Sequence, residues 1–203
     1  MIGLSGLRVR LEKKGIRVLG VAESFRKDLD ERAVLAGVVM RMDLIVDGIV
    51  IGFCTVGGMD STDSILKMYH RLERGDISAI MLNGCIISWF NVIDLKRLHE
   101  ETGLPIISVS YRPSMGIRRY FIEYFPSDWK RRIEVYEKNG PRLEITNRNG
   151  FKLYLRAVGL DEDDAIKLVN KFTLFGRVPE PLRVARLMAH SILNDVMAGR
   201  SSA

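Results

Sequence analysis

Cysteine and histidine are scarce in this chain of 203 residues, which has 2 of the former and 3 of the latter. Two cysteines are too few for a disulfide framework, and the strands that Cys54 and Cys85 follow are predicted to lie too far apart for one bond. None of His70, His99 and His190 has another histidine at metal-ligand spacing. We therefore expect free thiols and structural histidines.

Long apolar runs are also lacking. None approaches the ~20 residues of a membrane-spanning helix, and the first residues do not have the charged-then-apolar order of a signal peptide. We therefore expect a cytoplasmic protein with no membrane partner. The 47% of hydrophobic residues suits one α/β domain over residues 1–203, with residues 1–15 as a variable leader. The sequence does not indicate an oligomeric state.

Positive charge exceeds negative charge, with a formal net charge of +6 at pH 7. This favours an anionic partner such as DNA or RNA, although many basic proteins bind neither. Between Tyr111 and Arg132 the local excess is +4, because six basic residues stand against two acidic ones. The basic residues are Arg112, Arg118, Arg119, Lys130, Arg131 and Arg132, and six aromatic residues are interleaved with them.

Arginines beside aromatic rings can hold phosphates while bases stack on the rings, as in proteins that bind single strands. In that reading Arg112, Arg118 and Arg119 are the candidate nucleic-acid contacts. The alternative is that the aromatic rings belong to the core or cover it, and that the arginines lie on a solvated outer face.

Two successive patterns indicate the fold. Three β-rich runs come first, with short connections that favour antiparallel neighbours: Arg17–Val21, Ala33–Arg41 and Leu44–Thr55. Helices and strands then alternate, which predicts parallel strands with right-handed crossovers: Asp60–Arg74, Ile77–Leu82, Asn91–Thr102 and Pro105–Ser110. Beyond them we expect a helix at Ser127–Glu137, β-rich runs at Leu143–Asn147 and Phe151–Val158, and two final helices.

This order predicts an α/β protein with a ribonuclease H-like mixed sheet, in which three antiparallel strands precede parallel ones and helices cover both faces. That topology places the first strand beside Ile77–Leu82. The ends of these two strands, at Ala22-Glu23 and Asn83, should therefore be neighbours. Ligands collect beyond the carboxyl ends of strands in open α/β sheets, so a chemical site is expected near Asn83.

Several segments together resemble the archaeal domain-of-unknown-function family 99, which is grouped with endonuclease V on a ribonuclease H-like fold. The segments are Val18-Leu-Gly-Val, Gly58-Met-Asp-Ser-Thr62, Ile80-Met-Leu-Asn-Gly84, Phe90-Asn-Val-Ile-Asp94, Glu101-Thr-Gly-Leu-Pro105 and Pro179-Glu-Pro-Leu-Arg183. The resemblance runs from about Arg17 to the final helix. It implies a nucleic-acid partner and descent from a phosphodiesterase that uses a divalent metal.

The departures from that family concern its metal ligands. Its members usually carry acidic residues after the first strand and Asp-Gly after the strand that corresponds to Ile77–Leu82, where this chain has Ala22-Glu23 and Asn83-Gly84. In endonuclease V relatives the corresponding carboxylates bind the metal that activates water. Mg²⁺ favours charged oxygen ligands, so alanine supplies nothing and asparagine is a poorer partner. The resemblance therefore implies a degenerate metal site.

Other carboxylates could complete a reduced site. Glu23, Asn83 and Asp60 are the candidate catalytic residues, and Glu23, Asn83 and Asp94 are the candidate ligands of Mg²⁺ or Mn²⁺, if the chain is active at all. The alternative for Asp60 is a helix N-cap, and for Asp94 a favourable charge at a helix N-terminus. Asn91 is expected to cap the helix that begins near it.

Trp89 and Phe90 form an aromatic pair near the expected site. In endonuclease V relatives, loops near the strand ends hold a flipped or altered base, and Trp89 is a candidate contact of that kind. Phe90 is expected to act as a hydrophobic staple for the helix that begins near Asn91.

Two functional hypotheses from different classes remain. The first is an endonuclease V-like protein that interacts with nucleic acid and has weak or no metal-dependent endonuclease activity. The second is a non-catalytic protein-interaction module that keeps the ribonuclease H-like fold. The missing carboxylates discriminate between the two hypotheses, and they favour loss of nuclease activity.

Overall fold

The computed structural model describes residues 15–114 and 116–200, and of residues 196–200 the backbone alone. Apart from Gly15, the predicted leader at residues 1–15 lies outside this part of the chain. The strands are β1 (Arg17–Ser24), β2 (Arg32–Arg41), β3 (Val46–Thr55), β4 (Ala79–Leu82), β5 (Ile86–Ile87), β6 (Asn91–Val92), β7 (Ile106–Ser110), β8 (Leu143–Thr146) and β9 (Lys152–Val158). The helices are α1 (Ser61–Arg71), α2 (Leu95–Thr102), α3 (Ile117–Tyr124), α4 (Trp129–Lys138), α5 (Glu162–Lys171) and α6 (Glu180–Arg200).

Seven strands form one mixed sheet in the order β3-β2-β1-β4-β7-β9-β8. The first three strands pair antiparallel, β4 is parallel to both β1 and β7, and β9 is antiparallel to β7 and β8. The predicted ribonuclease H-like order is therefore confirmed, with β1 beside β4.

Apolar side chains on the two faces of the sheet form two separate core clusters. Leu19 and Val21 of β1 share one cluster with residues of α1 and α2, such as Ile65 and Leu95. Val18 and Ala22 belong to the other cluster, which includes residues of α5 and α6. This division follows from the alternation of side chains along a strand. It confirms that helices cover both faces.

A glycine in β1 allows α6 to pack closely on the sheet. A Cβ atom at Gly20 would lie 2.6 Å from the Cβ atom of Pro181, so no larger residue fits there without displacing the helix. The first turn of α6 is thereby held over the middle of β1. The following turns extend toward the carboxyl end of that strand, where the functional site is expected.

The region before α2 differs from the prediction. Residues Asn91–Val92 do not begin a helix, because they pair with Ile86–Ile87 to form a small antiparallel hairpin. The helix begins at Leu95, four residues later than expected. The prediction that Phe90 staples a helix starting near Asn91 is therefore wrong. The sequence also gave no indication of α3.

Two further predictions concern single features. Cys54 and Cys85 are both free, as expected, and both are buried. Among the described helices, none combines the length and apolar character that crossing a bilayer requires.

Candidate functional site

The carboxyl ends of β1 and β4 lie side by side. Val21 is paired with Leu82, and the backbone N–H of Asn83 donates a hydrogen bond to the Val21 carbonyl oxygen at 3.0 Å. Continuing this register by one residue places Asn83 next to Ala22, on the face of the sheet that α6 covers. The predicted convergence of these strand ends is therefore confirmed.

A cleft of about 690 Å³ opens at this point. The strand ends and the following loop form one side of it, and α6 forms the other. Its lining residues are Glu23, Ser24, Phe25, Asn83, Arg183, Arg186, Leu187 and His190. The structure thus brings two predicted site residues, Glu23 and Asn83, into one cleft.

Glu23 is the only carboxylate among the described residues that line the cleft. Its Oε2 atom is fully buried and has no hydrogen-bond partner among the described residues. Burial raises the pKa of Glu23, although hydrogen bonds from the backbone and hydroxyl of Ser88 and attraction to Arg186 oppose the rise. The carboxyl group is therefore held in an environment that disfavours its charged form.

Three side chains of α6 place positive charge and an imidazole against the cleft. Arg183, Arg186 and His190 follow one another at intervals of three and four residues, so they share one side of the helix. The sequence predicted no site role for them. Their spacing along the last predicted helix was a usable signal, but it did not show which part of the protein that side of the helix faces.

Asp60 lies outside the cleft and is held by a local hydrogen-bond network. Its carboxylate accepts hydrogen bonds from the backbone N–H and hydroxyl of Thr55, at 3.1 and 2.8 Å, and from Nδ2 of Asn91 at 2.7 Å. Asn91 also accepts a hydrogen bond from the backbone N–H of Ser61, so it caps α1 and not the helix that follows it. Burial raises the pKa of Asp60, but the hydrogen bonds from Asn91 and Thr55 outweigh it and the net shift is downward.

Asp94 is also engaged by protein groups. It is the N-cap of α2, where its side chain accepts a hydrogen bond from the backbone N–H of Arg97 at 3.0 Å. Its other oxygen lies 2.9 Å from Nζ of Lys138. Neither Asp60 nor Asp94 lines the cleft that contains Glu23 and Asn83.

A strained turn connects Glu23 to an aromatic cluster. Ser88, Trp89 and Phe90 all have positive φ, at 45°, 54° and 68°, a conformation that is uncommon for residues other than glycine. Ser88 contacts Glu23, while the Trp89 ring packs 5.2 Å from the Phe125 ring and 5.9 Å from the Tyr124 ring. Strain of this kind is concentrated at functional sites in proteins.

Part of this cluster reaches solvent. The rings of Tyr120 and Tyr124 are nearly parallel, with an interplanar angle of 1°, and Tyr124 is 40% exposed. Nζ of Lys27 lies 5.5 Å from the centre of the Trp89 ring and 5.6 Å from that of Tyr124. Trp89 therefore lies beside a cation and an exposed tyrosine, close to the strand ends.

The basic residues between Tyr111 and Arg132 divide into two groups. Arg112, Arg118 and Arg119 are exposed, which suits a surface role, and they do not line the cleft. Arg132 is only 2% exposed, so counting it among the surface charges was wrong.

Arg132 is instead a structural arginine. It donates two hydrogen bonds to the carboxylate of Asp128, each at 2.8 Å. It also donates to the carbonyl oxygens of Gly57, Gly58 and Phe90, at 2.7, 3.0 and 2.8 Å. The guanidinium group thus ties α4 to the loop after β3 and to the strained turn.

Comparison with known proteins decides the family. A family model described as endonuclease dU matches residues 14–193. The chain belongs to the endonuclease dU family. A similar protein, the UPF0215 protein TK2033 of Thermococcus kodakarensis, is 37% identical to this chain over 203 aligned positions. The alignment covers 95% of this chain and 98% of the relative. The resemblance recognised in the sequence motifs is confirmed.

Solved structures resemble this endonuclease dU family member in fold. A protein of unknown function from Archaeoglobus fulgidus has a TM-score of 0.76 and 27% identity, and the match covers 87% of this chain and 98% of that one. Endonuclease V of Ciona intestinalis, in complex with a 24mer DNA containing an inosine, has a TM-score of 0.60 and 14% identity, with 90% and 87% covered. At that identity the second likeness establishes the fold alone.

A divalent metal, which the sequence resemblance led us to expect, does not fit the residues at these strand ends. Ala22 offers no ligand atom, Asn83 offers a neutral one, and Glu23 alone supplies a carboxylate to the cleft. The described residues contain no group of three or more His, Cys, Asp or Glu side chains that could hold a metal ion. Arginines on the opposite wall add positive charge where a cation would have to lie.

Proposed function

We propose that this member of the endonuclease dU family is a nucleic-acid-binding protein with a degenerate metal site and weak or no metal-dependent nuclease activity. One observation carries the proposal: the cleft at the strand ends combines a single carboxylate, Glu23, with Asn83 and two arginines. Mg²⁺ and Mn²⁺ are held mainly by carboxylates, whose charge offsets the cost of dehydrating the ion. The other candidate site residues, Asp60 and Asp94, accept hydrogen bonds from Asn91 and from the backbone of Arg97, so their carboxylates are already engaged within the protein.

Several features support nucleic acid as the partner. The chain has a net charge of +6, and Arg112, Arg118 and Arg119 are exposed. The guanidinium of Arg119 lies 4.6 Å from the centre of the Tyr120 ring, and an arginine beside an aromatic ring can contact phosphate while the ring stacks on a base. Endonuclease V of Ciona intestinalis, which shares the fold, is bound to DNA in its crystal structure.

Trp89 is the proposed base contact. It is half-buried, stands next to Ser88 at the edge of the strand-end site, and has Lys27 and Tyr124 beside it. A ring in that position can stack on a base whose phosphate lies near Lys27. Binding of a base there would change the fluorescence of Trp89.

A cleavage assay tests the catalytic part of the proposal. The chain is incubated with Mg²⁺ or Mn²⁺ and with single-stranded DNA, single-stranded RNA, and DNA containing deoxyuridine or deoxyinosine. The E23Q variant is the matched control, because it keeps the shape of Glu23 and removes its charge. We expect no cleavage that differs between wild type and E23Q. Cleavage that requires the metal and is lost in E23Q would overturn the degenerate-site proposal.

A binding assay without metal tests the nucleic-acid part. Fluorescence anisotropy with the same oligonucleotides, in EDTA, should give saturable binding, and the W89F variant should change it more than a W129F control. If no oligonucleotide binds, the proposed partner is wrong and the alternative of a protein-interaction module is favoured.

A further inference from the structure

The α6 wall of the cleft has an arginine without a hydrogen-bond or ion-pair partner in the part of the chain that the structure describes. Arg186 makes no hydrogen bond or ion pair with any described residue, and its interaction with Glu23 is a longer-range attraction. Arg183 is different, because its guanidinium binds Glu180 at 2.6 Å and this partly offsets its charge. His190 follows at the next turn, with Nε2 3.2 Å from the Asn194 amide. An unpaired guanidinium that faces a concave site is available to a ligand.

We propose that this cleft binds a phosphate group directly, through Arg186 and Arg183, at the place where relatives are expected to hold a metal ion. Guanidinium groups match phosphate in geometry and can donate two parallel hydrogen bonds to it. The inference deepens the proposed function and rests on it only for the source of the phosphate, which is the nucleic acid.

The size and lining of the cleft suit such a ligand. A volume of about 690 Å³ lies within the usual range of small-molecule sites, roughly 300–1,000 Å³, so there is room for a phosphate with its sugar or base. Phe25 and Leu187 supply apolar surface beside the arginines, and Asn83 and Ser24 supply neutral polar groups. These are the contacts that a nucleotide unit of a single strand requires.

Among the described residues that line the cleft, Glu23 alone opposes an anion, and its environment reduces that opposition. Because its Oε2 atom is buried without a partner, the carboxyl group takes up a proton more readily than an exposed glutamate does. An anion site and a metal site therefore make opposite predictions for removal of the Glu23 charge.

Titration with inorganic phosphate in EDTA, followed by ³¹P NMR or calorimetry, tests the inference. We expect wild type to bind phosphate saturably and R186Q to bind it about tenfold more weakly or worse, as loss of a charge-assisted hydrogen bond implies. The matched control is R148Q, which removes the same charge from an exposed arginine on the turn between β8 and β9 and should leave phosphate affinity unchanged. The E23Q variant should bind phosphate more tightly than wild type.

Equal phosphate affinity in R186Q and R148Q would overturn the inference, and so would loss of binding in E23Q. Competition identifies the source of the phosphate. If phosphate displaces an oligonucleotide without terminal phosphates, the backbone occupies the cleft; if it displaces only a 5′-phosphorylated one, the cleft holds a terminal phosphate.

Failure of the inference and failure of the proposed function are distinguishable. Phosphate bound at Arg186 with no oligonucleotide binding would leave the inference standing and remove the proposed function. Oligonucleotide binding of equal affinity in wild type and R186Q, without binding of inorganic phosphate, would leave the proposed function standing and remove the inference.

Discussion

The backbone N–H of Asn83 donates a hydrogen bond to the carbonyl oxygen of Val21 at 3.0 Å. This contact extends the parallel pairing of β1 and β4 past the last ladder residue, and it fixes Ala22 and Asn83 next to each other at the point where ligands bind in related sheets. Two neutral residues thus occupy adjacent positions at which the endonuclease V resemblance implies carboxylates.

Restoring acidic residues at these two positions should create a metal site. We expect the double variant A22D/N83D to bind Mn²⁺, because both new carboxylates would project from neighbouring strand ends toward the same face. Electron paramagnetic resonance of free Mn²⁺ measures the binding. The two charges should also lower the melting temperature in EDTA, and added Mn²⁺ should recover it.

The control for this variant is A22N with Asn83 unchanged, which adds similar bulk without charge. If the double variant binds Mn²⁺ no better than this control, the strand ends do not converge in the way that a shared metal requires.

Charge reversal on α3 should weaken nucleic-acid binding by removing phosphate contacts. We expect R118E/R119E to flatten the dependence of the logarithm of the binding constant on the logarithm of salt concentration, by roughly one unit for each lost contact. Anisotropy titrations at several salt concentrations measure the slope. A slope equal to that of wild type would remove Arg118 and Arg119 from the interface.

Removal of the Glu23 charge should stabilise the folded protein at neutral pH. The pKa of Glu23 is raised in the folded state, so the protonated form is favoured by folding and stability falls as the pH rises from the ordinary glutamate value, about 4.3, through the folded-state value. We expect E23Q to melt at a higher temperature than wild type at pH 7, with no difference below about pH 4.

The exposed Glu31 provides the comparison for E23Q, because E31Q should leave the melting temperature nearly unchanged at both pH values. Lower stability of E23Q at pH 7 would mean that the ionised carboxylate is stabilising, contrary to its buried and unpartnered oxygen.

Arg132 should be essential for stability, although the excess of basic residues between Tyr111 and Arg132 suggested an exposed basic surface. Replacing it with methionine leaves three backbone carbonyls and the Asp128 carboxylate without their donor, and we expect a loss of roughly 3 kcal/mol or more in the free energy of unfolding. Urea denaturation measures it. The adjacent, exposed Arg131 is the control, since R131M should change stability by about 0.5 kcal/mol or less.

Much of the sheet could be predicted because its strands have continuous or alternating apolar patterns. The β4 strand, Ala79–Leu82, is an unbroken apolar run and is buried at every position, as such runs usually are in parallel sheets. The helix α1 lies within the predicted range Asp60–Arg74, and two of its apolar side chains, Ile65 and Met68, are fully buried. Strand order then followed from the alternation of helices and strands.

The β5–β6 hairpin could not be predicted in the same way. Its strands have two residues each, and its turn consists of Ser88, Trp89 and Phe90 in the left-handed conformation, with none of the glycine or asparagine that signals such turns. Tertiary packing of Trp89 and Phe90 on the aromatic cluster, not local preference, holds the turn. The prediction of a helix that begins at Asn91 was therefore wrong, because Asn91 and Val92 form β6 and the helix begins at Leu95.

Only some of the residues that line the cleft could be predicted from the sequence. Glu23 and Asn83 could be placed by strand topology, but Arg186 and His190 lie more than 100 residues further along the chain. Their proximity depends on the close packing of α6 against Gly20. For the same reason nothing local distinguishes the buried Arg132 from the exposed Arg131, since only the surrounding carbonyl groups decide which one is enclosed.

Binding of Mn²⁺ to the wild-type chain tests most directly the claim that this cleft is not a metal site. Titration of the wild type and E23Q in parallel, followed by electron paramagnetic resonance, compares the two with the Glu23 charge as the only difference. We expect weak, non-saturating binding that is the same in both. Saturable binding of one or two ions in the wild type, lost in E23Q, would contradict the claim.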